Sequence, residues 1–83
     1  MFEITYTDKA LDDLMSIPRK DVLKIRIKVN QYAENPLSLQ NQVKKLTGEP
    51  YYRLRVGDYR VIFSKDGKVI QIEKVGHRKE IYR

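Results

Sequence analysis

The last third of the chain alternates apolar and basic residues with the period of a β-strand. Within residues 52–56, Leu54 and Val56 alternate with Arg53 and Arg55. Successive side chains of a strand point to opposite faces of a sheet, so the two apolar residues can be buried while the two arginines stand together on the other face. This segment is therefore predicted to be a strand with one packed face and one cationic face.

Turn signals predict two further strands. Gly57-Asp58 joins the first strand to a second, in which burial of Tyr59, Val61 and Phe63 leaves Arg60 pointing outward. Asp66-Gly67 is a strong hairpin signal and leads to a final strand from Val69 to Val75. Aromatic rings lie among these cations and suit stacked bases and phosphates. The tyrosines concerned are Tyr51, Tyr52, Tyr59 and Tyr82.

The first half of the chain predicts a strand followed by two helices. Apolar and polar residues alternate over 2–6, and Thr7 or Asp8 offers a side-chain oxygen that can cap a helix. Pro18 ends the first helix and suits the first turn of the second, which Asn35-Pro36 ends. Apolar stripes are expected at Ala10, Leu11, Leu14 and Met15 in helix one, and at Val22, Ile25, Val29, Tyr32 and Ala33 in helix two.

The order of elements predicts an α+β fold. It comprises an N-terminal strand, a two-helix hairpin and a three-stranded antiparallel meander, with the helices packed on one side of the sheet. Residues 36–50 lack clear periodicity and are predicted to form a surface loop that carries Lys44 and Lys45. A chain of 83 residues buries only about two-thirds of its unfolded surface, so we expect one domain spanning 1–83.

Composition narrows the class of protein. With 41% hydrophobic and 34% charged residues, the chain is too apolar to be disordered, and with no cysteine it has neither disulfides nor thiolate metal sites. One histidine and scattered carboxylates show no ligand spacing, so neither a metal nor a cofactor is expected. No apolar run approaches the roughly 18 residues of a membrane span. We therefore expect a cytoplasmic protein without membrane contact.

The net charge of +6 is unevenly distributed. Residues 1–43 hold six Lys or Arg and six Asp or Glu, whereas residues 44–83 hold eleven and five. Such asymmetry indicates a polyanionic partner. The alternative is an ordinary solvated basic face.

Three motifs follow one another in this basic half: Lys-Leu-x-Gly-Glu at 45–49, the run from Tyr52 to Phe63, and the ending from Val75 to Arg83. Together with the order of elements, they resemble the RelE/ParE superfamily of bacterial toxin–antitoxin toxins over nearly the whole chain. The sequence is more similar to the RelE branch, whose members are ribosome-dependent endoribonucleases that cut messenger RNA in the A site. The ParE branch instead poisons gyrase.

The resemblance implies a set of site residues. It places the cationic strand pair on Arg53 and Arg55, the transition-state arginine on Arg60, a second arginine on Arg78 and a C-terminal tyrosine on Tyr82. The best-described RelE pattern has lysines in the strand pair and a longer spacing before the tyrosine. Because arginine stays protonated in proteins, the strand pair here can bind phosphate but cannot act as a general base.

Metal-free RNA cleavage uses the substrate's own 2′-hydroxyl as nucleophile, so the protein must supply an acid, a base and cations. We expect Arg60 and Arg78 to stabilise the phosphorane charge, and His77 or Tyr82 to transfer the proton. Arg53, Arg55, Lys44 and Lys45 are expected to hold the RNA. The alternatives are a solvated or antitoxin-binding face for the strand pair and a structural turn role for His77, which follows Gly76. Gly76 itself is expected to provide backbone freedom at a turn.

The expected function is that of a RelE-like messenger-RNA interferase, active in the ribosomal A site and inhibited by a cognate antitoxin. The antitoxin segment is expected to be acidic and amphipathic, because it would cover a cationic sheet. Two alternatives remain. One is a ParE-like gyrase inhibitor, and the other is a non-catalytic module that binds RNA or the ribosome.

Overall fold

The computed structural model describes residues 1–81, which form two α-helices and five strands. In chain order these are β1 (Glu3–Tyr6), α1 (Asp8–Met15), α2 (Arg19–Glu34), β2 (Val43–Lys45), β3 (Tyr52–Val56), β4 (Tyr59–Asp66) and β5 (Val69–His77), with a short 3-10 turn at Pro36–Leu39. Both helices pack on the same side of the sheet. The predicted α+β fold is confirmed, with one more strand than expected.

The strands form a single sheet in the order β1-β5-β4-β3-β2. β1 runs parallel to β5, and the other neighbours are antiparallel. The parallel pair exists because α1 and α2 lie between β1 and the rest of the sheet in the sequence, and parallel neighbours require such a crossover.

The predicted surface loop over 36–50 is wrong at its centre. Val43 pairs with Leu54 and Lys45 with Tyr52, so β2 forms an edge strand beside β3. Three residues are too few to display the alternation that identifies a strand, and the pairing with β3 decides their conformation. The 3-10 turn at Pro36–Leu39 buries Leu39 in the core, so the prediction is wrong there too, and the remainder of the segment is turns and bends.

Helix α2 buries the predicted stripe. Ile25, Val29, Tyr32 and Ala33 are each at most 5% exposed, and Val22 is half-buried. Their spacing of three and four residues puts them on one side of the helix, which lies against the sheet. This prediction is confirmed.

Helix α1 begins at the predicted cap, where the Thr7 hydroxyl accepts a hydrogen bond from Ala10 N at 3.1 Å. Ala10 is buried, but Leu11 and Met15 are 48% and 84% exposed, so the predicted stripe is wrong at both. Ala10 and Leu14 lie one turn apart and face the sheet, whereas the next residue after each is rotated about 100° towards solvent. Eight residues at the edge of the sheet bury only the narrower stripe.

The core lies between the helices and one face of the sheet. Phe63 is 1% exposed, and its ring lies against Tyr32 at 5.3 Å and Tyr52 at 5.4 Å between centroids. No charged side chain is fully buried within residues 1–81. In the same part of the chain, no helix has the length and apolarity that crossing a membrane requires.

The glycines of the hairpins behave as predicted at two turns and differently in β5. Gly57 and Gly67 have φ of +58° and +59°, a region that suits glycine because it has no Cβ. Gly76 lies inside β5, so the turn role predicted for it is wrong. A Cβ at this position would lie 3.1 Å from Ile81 Cδ1, which indicates that Gly76 makes room for the chain that follows β5.

Candidate nucleic-acid interface

The register of the strands divides the sheet into a helix-side face and an open face opposite α1 and α2. Directly paired residues point to the same side of a sheet. Leu54 pairs with Val61 in the core, so Arg55 and its partner Arg60 point to the open face. The basic residues that the register places on the open face are Lys44, Arg53, Arg55, Arg60 and Lys74.

Four of these cations form two like-charge pairs across neighbouring strands. Lys44 lies opposite Arg53, and Arg55 lies opposite Arg60. Like charges directly opposite each other destabilise a sheet. Arg53 Nε is also buried without a hydrogen-bond partner among residues 1–81. An anion bound to this face would relieve the repulsion, so the arrangement favours a polyanionic ligand.

The turn between β3 and β4 brings the two predicted catalytic arginines together. Arg60 Nη1 donates hydrogen bonds to Gly57 O and Tyr59 O, each at 2.9 Å. Arg78 N donates to Asp58 O at 2.7 Å, and Arg78 Nε lies 3.7 Å from Asp58 Oδ1. Both arginines therefore contact the same three-residue turn at one end of the open face.

A tight turn after β5 sets the position of Arg78. The backbone N–H groups of Glu80 and Ile81 both donate to His77 O, at 2.9 and 3.0 Å. Ile81 is 6% exposed and packs over Gly76, which anchors this turn on the sheet. Tyr82, the other predicted catalytic residue of the tail, lies outside the described residues.

His77 lies on the helix-side face. It pairs with Tyr59, and the two rings are 6.0 Å apart in an edge-to-face arrangement. His77 Nδ1 accepts a hydrogen bond from Lys79 N at 3.2 Å, so the neutral ring carries its proton on Nε2. The structure therefore does not bring the His77 side chain to the face that carries Arg60.

Tyr59 is half-buried rather than part of the fully buried core. Its hydroxyl donates to Asp21 Oδ2 at 3.1 Å and so joins β4 to the start of α2. Burial raises the pKa of Tyr59 above the ordinary value of 10.0, and the hydrogen bond to the Asp21 carboxylate adds to this shift. The residue stabilises the contact between the helix and the sheet.

The two predicted RNA-binding lysines of β2 point to opposite sides. Lys44 shares the open face with Arg53, whereas Lys45 pairs with Tyr52, whose ring stacks on Phe63 in the core. Both lysines are exposed. The structure thus groups Lys44, but not Lys45, with the arginines.

A β-bulge adds a carboxylate that the sequence patterns did not single out. Between Ile62 and Phe63 the partner strand advances from Lys74 to Ile72, so Glu73 is an extra residue in β5. Ser64 Oγ and Gln71 Nε2 donate to Glu73 Oε2, at 2.8 and 3.0 Å. The available signal was the break in alternation at Glu73-Lys74, where two charged residues follow each other in an apolar strand.

The bulge also decides which side chains of β5 reach each face. Ile70 and Ile72 pack in the core, and an unbroken strand would send Lys74 and Gly76 the same way. The extra residue reverses the alternation, so Val75 and His77 point to the helix side instead. The position of His77 is a direct consequence.

A small α+β fold with an arginine-rich open sheet face is typical of a protein that binds a polyanion. Comparisons with known proteins give its family. Residues 4–82 match the family described as the ParE toxin of the type II toxin–antitoxin system, parDE. Toxin RelE3 of Methanocaldococcus jannaschii is 33% identical over 84 residues, covering 96% of this chain and 94% of the relative. The chain belongs to the RelE/ParE superfamily of type II toxin–antitoxin toxins.

Solved structures agree with this assignment. The RelB–RelE antitoxin–toxin complex from Methanococcus jannaschii contains a chain that is 30% identical, with a TM-score of 0.76 and 94% of each chain covered. The archaeal RelE–RelB complex from Pyrococcus horikoshii OT3 gives 28% identity and a TM-score of 0.77, covering 95% of this chain and 97% of the other. In both cases the similarity extends over nearly the whole fold.

Proposed function

We propose that this toxin is a ribosome-dependent endoribonuclease that cleaves messenger RNA in the A site and so inhibits translation in the cytoplasm. The two like-charge pairs of the open face carry the proposal. Lys44 lies opposite Arg53, and Arg55 lies opposite Arg60, so these pairs concentrate positive charge on the open face. An RNA backbone supplies one phosphate per nucleotide and releases counterions when it is neutralised, so binding is favourable on both counts.

In the proposed reaction the substrate 2′-hydroxyl attacks the adjacent phosphate, and the bond to the 5′-oxygen of the next nucleotide breaks. Negative charge grows on the phosphorane oxygens, and Arg60 and Arg78, which contact the same turn, stabilise it. The RNA on either side of the cleaved phosphate is bound by Arg53, Arg55, Lys44 and Lys45. The product has a 2′,3′-cyclic phosphate or 3′-phosphate, and the protein needs no metal ion of its own.

Tyr82 and His77 are the proposed proton-transfer residues. The arginines cannot take this role because they remain protonated. His77 faces the helices, so it serves only if RNA reaches around the end of the sheet, near the turn at Asp58. Replacing Tyr82 by phenylalanine and His77 by glutamine in separate variants assigns the role. The variant whose cleavage rate falls and loses its dependence on pH identifies the residue.

A cognate antitoxin is the proposed partner. The two solved relatives are complexes of RelE with RelB. An apolar groove of about 440 Å³ crosses α1 and α2 of this chain and gives an antitoxin helix a surface to cover. It is lined by Tyr6, Leu11, Leu14, Met15, Val22 and Arg26. An acidic amphipathic antitoxin would have to reach both sides of the sheet, because this groove lies on the helix side and the basic surface on the open face. Co-expression should raise the melting temperature and abolish toxicity.

Gyrase inhibition is the second candidate function, because the matching family is named for the ParE toxin. A non-catalytic RNA- or ribosome-binding module is the third. Arginines at both positions of the strand pair, Arg53 and Arg55, favour it because they bind phosphate without acting as a base. The identities of 33% and 30% to chains named RelE support the ribonuclease.

One experiment separates the three candidates. The protein is induced in cells, 5′ ends of messenger RNA are mapped, and plasmid supercoiling is assayed in the same cultures. We expect new 5′ ends within translated regions and unchanged supercoiling, with Arg60→Ala inactive and the exposed α2 variant Lys28→Ala fully active. Intact messenger RNA with altered supercoiling would indicate gyrase inhibition. Intact messenger RNA with unchanged supercoiling but reduced translation would indicate the non-catalytic module. Products with a 3′-hydroxyl and a 5′-phosphate would exclude 2′-hydroxyl attack.

A further inference from the structure

A cavity of about 360 Å³ opens on the open face beside the arginines. It lies between the β2–β3 loop and the strands β4 and β5. The cavity is lined by Leu46, Glu49, Tyr51, Ile62, Glu73 and Lys74. Ile62 is 2% exposed although it points away from the main core, so the cavity has an apolar base. Its volume lies at the small end of the range for small-molecule sites.

The bulge builds the polar side of this cavity. Two successive residues, Glu73 and Lys74, both line it, which a regular strand would not allow. Ser64 and Gln71 hold Glu73 Oε2 in place, and Glu73 Oε1 has no hydrogen-bond partner among residues 1–81. The site thus presents a fixed acceptor beside a cationic donor.

One aromatic and two aliphatic side chains, together with the Glu49 carboxylate, complete the lining of the cavity. Tyr51 and Leu46 belong to the β2–β3 loop. The backbone hydrogen bond from Leu46 N to Tyr51 O, at 2.9 Å, joins the two ends of this loop. With Ile62, Tyr51 and Leu46 offer apolar and π surfaces for a flat ring. Unstacked bases of single-stranded RNA are recognised in this way, by stacking together with hydrogen bonds to their edges.

The cavity is placed for a nucleotide next to the one that is cut. Ile62 is two residues along β4 from Arg60, about 7 Å by the rise of a strand. It pairs with Arg53 on one side and Lys74 on the other, so cations that can bind phosphates flank it. This separation is comparable with that of neighbouring phosphates in an extended single strand.

We propose that this cavity is a nucleobase subsite that selects bases with an exocyclic amino group over uracil. The proposal rests on RNA as the substrate of the open face. An amino group donates a hydrogen bond to Glu73 Oε1. Uracil offers its only base N–H between two carbonyl oxygens, which a carboxylate repels. Glu73 is therefore a specificity residue and takes no part in the bond-breaking step.

Cytidine and uridine 5′-monophosphate are the matched probes, because their bases differ only at position 4 and in the proton on N3. Titration is followed by the NMR signals of the Ile62 methyl groups and the Tyr51 ring. We expect both signals to shift and cytidine monophosphate to bind roughly tenfold more tightly, as for one hydrogen bond to a charged acceptor. Glu73→Gln should reduce the difference to about twofold, whereas Glu34→Gln, the same change at the exposed end of α2, should leave it intact.

Cleavage on ribosomes gives an independent measurement. Wild type should disfavour uracil at one position beside the cut, and Glu73→Gln should lose this bias while its overall rate stays within about threefold. If Glu73→Gln lowers the melting temperature, Leu46→Trp, which fills the cavity, replaces it and should block both nucleotides.

The outcomes separate this proposal from the proposed function. Discrimination between the two nucleotides without RNA cleavage in cells would sink the ribonuclease and leave the subsite. Cleavage without any shift at Ile62, or with the same base bias in Glu73→Gln, would overturn the subsite and leave the ribonuclease. A shift at Ile62 that only an antitoxin peptide produces would also overturn it, because the cavity would then belong to a protein interface.

Discussion

The two faces of this sheet are built from the same strands but have different roles: one stabilises the fold, and the other carries the basic residues. On the helix side, Leu54, Val61 and Phe63 are each at most 1% exposed and pack under the helices. On the open face, the alternate positions of the same strands hold Arg55 and Arg60. Burial of apolar area stabilises the first face, whereas the second carries like-charge repulsion. The comparison teaches that stability and binding can be changed separately, one residue apart.

The largest expected effect is on the helix-side face. Phe63→Ala removes a buried ring that contacts Tyr32 and Tyr52, and should lower the free energy of unfolding by about 3–5 kcal/mol. Arg55→Ala, on the exposed part of the open face, should change it by no more than about 0.5 kcal/mol. Urea denaturation of both variants makes the comparison. Similar losses of unfolding free energy in the two variants would show that both faces contribute equally to stability.

The next largest effect is on catalysis. Arg60→Ala should slow single-turnover cleavage on ribosomes by about a hundredfold or more, as for loss of one transition-state donor. Arg78→Ala should act similarly, because both arginines contact the Gly57–Tyr59 turn. Ribosome binding should change much less. A full cleavage rate in Arg60→Ala would remove the open face from the reaction.

Tyr59, at the end of the helix-side face, gives a smaller effect that depends on pH. Its pKa is raised above 10.0 in the folded protein, first by burial and then by the bond to Asp21. The folded state therefore holds the phenolic proton more tightly, and the associated stability is present below pH 10 and is lost as the pH rises past it.

Thermal melts test this relation. Tyr59→Phe should cost about 0.5–1.5 kcal/mol near neutral pH, because it leaves Asp21 without its donor. As the pH rises past 10, wild type should lose more stability than the variant, which lacks the titrating group. Parallel pH profiles would contradict the assigned shift.

The smallest expected effect is on RNA affinity, and it compares the two sides of the edge strand β2. Lys44→Ala should weaken single-stranded RNA binding a few-fold and reduce the slope of log affinity against log salt by about 1. Lys45→Ala should have a weaker effect, because Lys45 pairs with Tyr52 on the helix side. Titrations at several KCl concentrations measure both slopes. Equal losses would place RNA around the edge of the sheet rather than on one face.

Most of the fold follows from local patterns. The stripe of α2 and the alternation in β3 and β4 were predictable, because these periodicities are written in consecutive residues. β2 was not predicted, since a three-residue strand has no period of its own. The exposure of Leu11 and Met15 also escaped prediction, because a helix pattern does not state how wide a surface the sheet offers to it.

The candidate site divides in the same way. The sequence predicted that Arg53, Arg55 and Arg60 share a face, because alternation and the Gly57-Asp58 turn set their register. It did not show that Arg60 and Arg78 contact one turn, since the turn after β5 is held by packing of Ile81 on Gly76. Contacts between distant segments depend on the path of the whole chain.

The sequence by itself determined the helices, the long strands and the charge of the open face, because each depends on residues close together in the chain. Only the tertiary structure decided which side chains of β5 join that face. One extra residue, Glu73, reverses the alternation, turns His77 towards the helices and brings Glu73 and Lys74 to the cavity. A bulge is defined by the pairing of two strands. It forms only when β4 lies beside β5, and the sequence of β5 alone does not specify that pairing.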